Sequence, residues 1–140
     1  MKKKCTVLIS FIIMLGVIVG CSAKAESFDD ENIIFKLADT EPTAKAIEIT
    51  NKTGFDLVNL TLKISYPVNK NNKTETETIK SIEEFKIVSG ETKEISIQLA
   101  PNEGIEATDL EVDLQGNVVK RNEKVPFKIG GALSALVSRP

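Results

Sequence analysis

Few residues in this 140-residue chain are equipped for chemistry. It has two cysteines, Cys5 and Cys21, and no histidine. Without imidazole, neither a Ser-His-Asp triad nor a histidine general base can be assembled. The 20 Asp and Glu residues leave a carboxylate pair as the remaining route to acid–base catalysis, the chemistry of many glycosidases. Two candidate pairs stand out, Glu83 with Glu84 and Glu111 with Asp113. Glu111 and Asp113 alternate with Leu110, Val112 and Leu114, which places them on the wet face of a strand. A sugar-cleaving site would also want aromatic platforms, and the chain has one Tyr, six Phe and no Trp. Neither common glycine-rich phosphate loop occurs. No catalytic, cofactor-binding or metal-ligating residue is therefore assigned, and a non-enzyme is expected.

The surroundings of Cys21 give that thiol a different use. Lys2, Lys3 and Lys4 precede a nearly unbroken apolar run from Val7 to Gly20. A positive start, an apolar stretch and a small residue at its end make the layout of a secretory signal peptide. The run of about 14 residues is shorter than the roughly 20 that an uncleaved membrane-spanning helix needs. An ordinary secreted protein cut near Ala23 or Ala25 is the competing reading.

Ile18-Val19-Gly20-Cys21 resembles the lipobox of bacterial lipoproteins: an aliphatic residue, a variable one, a small one, then Cys. The resemblance implies that the Cys21 thiol takes a diacylglyceryl group and that cleavage removes residues 1–20. Two acyl chains hold a protein on a bilayer stably, where one binds reversibly. Cys5 would leave with the signal peptide, and the sulfur of Cys21 would be occupied by lipid. The mature protein would then have no disulfide, no thiol nucleophile and no thiolate metal ligand. Its implied place is the extracytoplasmic face of the cell membrane, lipid-anchored. Which membrane receives the anchor depends on whether the cell has one or two.

Losing Lys2, Lys3 and Lys4 reduces the 18 basic residues to 15 against 20 acidic ones, a net charge of −5. An acidic domain with no basic, aromatic-studded stripe is not built for nucleic acid. Residues 21–31, polar and ending in Asp29-Asp30-Glu31, read as an acidic flexible tether. That acidic cluster lacks the spacing of a calcium loop. Residues 32–130 are the expected domain, and 131–140 an apolar C-terminal tail.

Within the domain the hydrophobic period is two, interrupted by turn residues. Strands are expected at Ile33–Leu37, at residues 44–50 and at residues 55–68. In the third, Val58, Leu60, Leu62, Ile64 and Tyr66 share the inner face until Pro67 ends the ladder. Val68 to Lys73 reads as a polar loop, and Thr74 to Thr78 as a charge-protected edge strand. Residues 79–86 have a spacing near three, giving an irregular strand with a helical turn as the alternative. Ile95, Ile97 and Leu99 form another strand before the break at Pro101-Asn102-Glu103-Gly104. Leu110, Val112, Leu114 and Val118 keep phase past Gly116, which suggests a bulge. A turn near Arg121-Asn122-Glu123 leads to Val125, Phe127 and Ile129, and the pair Gly130-Gly131 closes that strand. The tail either packs back as a short helix or docks on a partner. Three Asn-x-Thr matches, at Asn51, Asn59 and Asn72, are composition.

About seven strands at this spacing predict an all-β fold, an antiparallel Ig-like β-sandwich. It lacks the Cys pair and buried Trp of antibody domains. The stretch Ile47 to Tyr66 (IEITNKTGFDLVNLTLKISY) is similar to strand pairs in small Ig-like domains of bacterial lipoproteins. The functional expectation is a membrane-anchored, non-catalytic binding or structural module of the cell envelope, with an envelope protein as partner. A carboxylate-dependent envelope hydrolase and an accessory subunit of an export or wall complex are the alternatives. Phe55, at a loop-to-strand junction, is expected to close one end of the core rather than to stand out as a binding anchor.

Overall fold

The computed structural model describes residues 28–40, 44–99 and 105–140. The signal segment 1–20, Cys21, tether residues 22–27 and the break at Pro101 to Gly104 lie outside the described residues. The described residues form seven strands: β1 (Ile33–Asp39), β2 (Ala44–Asn51), β3 (Leu57–Lys70), β4 (Lys73–Ile87), β5 (Thr92–Gln98), β6 (Glu111–Lys120) and β7 (Glu123–Ala132). They make two antiparallel sheets, ordered β1-β2-β5 and β4-β3-β6-β7. This is the expected Ig-like sandwich, with the fourth strand in the same sheet as the third, beside it.

Alternation puts Phe35, Ile47, Ile49, Ile95 and Ile97 of the smaller sheet against Leu60, Leu62, Ile64, Val112, Leu114 and Ile129 of the larger. In β3 the phase differs from the sequence expectation at one point. Leu57 is fully buried, whereas Val58 is half-buried. Asn59 takes a φ of 51°, and Asn59 and Leu60 together face one residue of β6, Gly116. That extra residue is a β-bulge and resets the alternation between Leu57 and Leu60. The bulge expected near Gly116 thus lies on the opposite strand. A Cβ on Gly116 would sit 2.6 Å from Leu60 Cδ2 and 2.9 Å from the Val58 carbonyl oxygen. Glycine is needed there because the bulged backbone comes so close.

Pro67 does not end β3. It pairs with Thr76 of β4, and β3 continues to Lys70. The pairing of β3 with β6 stops at Ser65, so among the described residues Pro67 has no second strand beside it whose ladder would need its N–H. The polar loop expected from Val68 to Lys73 shrinks to the two residues Asn71 and Asn72, with φ of 52° and 61°. Arg121 and Asn122 make the β6–β7 turn in the same way, at 46° and 67°. Positive φ at both central residues is the type I′ geometry that matches strand twist. The edge segment Thr74–Thr78 and the irregular segment after it are one strand, β4. Its three-residue spacing has a plain cause. Ile79 is an extra residue against the step Ile64–Ser65, and Ile82 to Phe85 spans three residues against two from Leu62 to Leu60. Glu84, in that second irregularity, has a φ of 56°.

Gly130-Gly131 does not close β7, which runs on to Ala132. Gly131, at a φ of 149°, stands just before the chain turns into the short helix α1 (Leu133–Val137). Leu133 and Leu136 are buried, and α1 packs against β1 and β7. Of the two fates open to the tail, packing back is the one observed. Near the other terminus Phe28 meets Phe127 with ring centroids 5.3 Å apart. The Asp29 carboxylate accepts from the Glu31 N–H at 3.0 Å, capping a 3-10 turn at Asp30–Asn32, and Arg139 lies 3.6 Å from Asp30. The packed body therefore includes residues 28–31 from the expected tether and the helix from the expected tail.

Asn51, the last residue of β2, is fully buried. Its Nδ2 donates to the carbonyls of Phe55 at 2.7 Å and Ile87 at 2.9 Å. Its Oδ1 accepts from the Thr53 N–H at 3.1 Å and the Thr53 hydroxyl at 2.7 Å. All four bonding positions of the amide are used. Its main chain adds an N–H to the Glu91 carbonyl, 3.0 Å, and a carbonyl accepting from the Gly90 N–H, 2.7 Å. The chain crosses between sheets from β2 to β3 and again from β4 to β5, and Asn51 pins both crossings.

Replacing Asn51 with Ala should lower stability by about 2–4 kcal/mol in urea unfolding, because buried carbonyls and Thr53 lose their partners. Asn51→Asp should cost more, since its carboxylate cannot donate to either carbonyl. Gly116→Ala should cost about 1–3 kcal/mol through overpacking, with an unchanged m-value.

Candidate functional site

The candidate carboxylates sit on two strands, β4 and β6, that are kept apart by β3. Two strand spacings put those backbones roughly 10 Å apart. Glu83 and Glu84 are exposed at the β4 irregularity. Glu111 and Asp113 lie on the outer face of β6, and Lys128 bridges Asp113 at 2.8 Å. The strands thus separate the two pairs and leave them facing water. Among the described residues no group of three or more His, Cys, Asp or Glu is placed to hold a metal ion. The acidic cluster of the expected tether is spent on local structure, Asp29 as a cap and Asp30 beside Arg139.

Cys21, the lipid-attachment residue read from the sequence, lies outside the described residues. Each asparagine of an Asn-x-Thr match has a backbone role. Asn51 is the buried hub, Asn59 the bulge residue, and Asn72 half of a type I′ turn. Phe55 is half-buried and packs on the core, with the Lys120 ammonium 5.1 Å above its ring. It closes that end of the sandwich, as expected, and binds a cation within its own chain. Beside it the Asp56 carboxylate accepts from the Ser89 N–H at 2.9 Å, and its carbonyl accepts from the Val119 N–H at 2.9 Å. These bonds tie the β2–β3 and β4–β5 connections to the end of β6.

One surface depression escaped the sequence reading. An open groove of about 590 Å³ forms where Asn59 and Glu84, both at positive φ, bend β3 and β4. Val58, Phe85 and Val119 give it an apolar part, while Lys86, Lys93 and Lys124 oppose Glu84 and Glu91 around it. The Glu91 carboxylate already accepts from the Val88 N–H at 3.0 Å. The lining holds no hydroxyl, thiol or imidazole side chain. It offers shape and mixed charge, but no nucleophile activated by a base. The sequence signal for it is the disturbed alternation around residues 79–86, whereas the alternation through Val58 reads as unbroken and hides the bulge at Asn59.

No protein-family model matches the chain, and no curated protein matches it. Among solved structures it is similar to the sporulation control protein Spo0M of Bacillus subtilis, at 16% identity and a TM-score of 0.33. The match covers 72% of this chain and 47% of that one, so the chain spans about half the length of that structure.

The Lys128–Asp113 pair is well exposed, so solvent screening leaves it little weight. Asp113→Asn should change stability by less than about 1 kcal/mol in chemical denaturation.

Proposed function

We propose that the protein is an extracytoplasmic lipoprotein, held on the cell membrane through Cys21, whose Ig-like sandwich is a non-catalytic binding or structural module. The observation that carries this reading is Ile18-Val19-Gly20-Cys21, placed behind Lys2, Lys3, Lys4 and a short apolar run. The sandwich supports it in two ways. Its core is closed by Leu, Ile, Val and Phe side chains, so a chain left without a cysteine pair has what it needs to fold. Its two candidate carboxylate pairs lie on strands separated by β3, with Glu83, Glu84 and Glu111 exposed and Asp113 bridged by Lys128. Phe28, which packs on Phe127, lies seven residues after Cys21. That length of chain reaches at most about 25 Å, so a lipid on Cys21 would hold the domain close to the bilayer.

Metabolic labelling with an alkyne-bearing palmitate, in a bacterial host, tests the anchor. The wild-type chain should carry the label and partition into detergent. Cys21→Ser should lose both properties while its domain keeps the wild-type melting temperature. A labelled Cys21→Ser chain, or an unlabelled wild type, would refute the proposal.

A further inference from the structure

The ribbon formed by the outer parts of β3 and β4 runs on past the pairing of β3 with β6. From Tyr66 to Lys70, β3 has β4 as its sole strand neighbour among the described residues. Tyr66 is buried and Val68 packs against the core, so the ribbon clears the core only toward its turn at Asn71 and Asn72. Among the described residues no further strand pairs with either outer edge of the ribbon, and the two edges differ. The β3 edge contains Pro67, which lacks an N–H and obstructs a new ladder. The β4 edge from Lys73 to Thr78 has no proline and no bulge, and every residue in it is exposed. Its irregularities begin only at Ile79, toward the core.

Side chains along this edge alternate strictly. Glu75 and Glu77 share a face with Val68 and Tyr66, their register partners, while Thr74, Thr76 and Thr78 occupy the other face. This pattern discriminates between visiting strands. A second copy pairing antiparallel about Thr76 would set Glu75 against Glu77 twice, opposing like charges. A basic strand would meet both carboxylates favourably, and β-branched residues would meet the threonines. Lys70 approaches Glu77 at 3.7 Å, but both side chains are more than half exposed and exchange readily with water.

We propose that the β4 edge at Lys73–Thr78 is a strand-addition site for an extended segment of another protein in which basic and β-branched residues alternate. Main-chain hydrogen bonds supply affinity, and the alternating side chains supply selection. This deepens the reading of the domain as a binding module, and it is independent of whether Cys21 is acylated.

The test uses the full-length protein in detergent micelles, with fluorescently labelled synthetic peptides followed by anisotropy. The probes are a peptide alternating lysine with threonine, the same peptide N-methylated at alternate residues, and one alternating glutamate with threonine. The Lys-Thr peptide should bind, and the N-methylated and Glu-Thr peptides should not. The double variant Glu75→Lys with Glu77→Lys should weaken the Lys-Thr peptide by about tenfold, the effect of reversing two cross-strand charge pairs. It should also begin to bind the Glu-Thr peptide. Equal binding of the N-methylated peptide would reduce the interaction to charge alone and overturn the proposal. Undiminished affinity in the double variant, or no binding of the Lys-Thr peptide, would overturn it as well. The same measurements on Cys21→Ser keep this outcome separate from that of the anchor.

Discussion

A buried carboxamide holds the two sheets in register. The side chain of Asn51 donates to main-chain carbonyls at the entry to β3 and the end of β4, and it accepts from Thr53. Its own peptide group meets Gly90 and Glu91 in the turn before β5. Without a disulfide, an antiparallel sandwich has little to fix the relative position of its sheets except packing, which is not directional. Asn51 provides direction. A polar group sealed in the core is tolerable only when every donor and acceptor is matched, and here each of them is. The amide therefore specifies one arrangement of the two crossovers and makes other alignments of the same apolar faces costly.

A second constraint comes from irregularity in the larger sheet. The extra residue at Asn59 shifts the phase of β3, brings its backbone onto Gly116, and turns Val58 outward. The disturbances at Ile79 and Glu84 do the same to β4. Bulges raise local twist and spoil an edge for pairing. In this molecule they shape the open groove and leave the outer edge of β4 regular only in its distal part. Surface relief and edge protection thus share one physical cause.

The strands were legible because one-face burial enforces a period of two, and β3, β5 and β6 display it in their side chains. Exceptions were legible only as disturbances. A bulge consumes one residue, so Ile79, Ile82 and Phe85 imitate helical spacing although all three belong to a strand. Pro67 reads as a terminator on the assumption that both sides of a strand are paired, and past Ser65 one side of β3 is not. Gly130-Gly131 reads as a stop because glycine so often marks one, yet β7 passes through it. Asn51 was the least legible. Its local sequence is that of a turn, and its role depends on Ile87, which is 36 residues away. The groove was hidden for the same reason, being assembled from three separate parts of the chain.

Closure of the open side between β1 and β7 has a consequence for the order of assembly. A ribosome delivers a chain from its N-terminus, so Phe28 and β1 emerge before Phe127, α1 and Arg139. The seam that Phe28 and β1 begin is completed only when residues about a hundred positions later have been made. Folding units of this kind cannot mature segment by segment as they emerge, because contacts between distant parts of the chain form slowly. Until α1 is in place, β1 and β7 lack the packing that joins them along this seam.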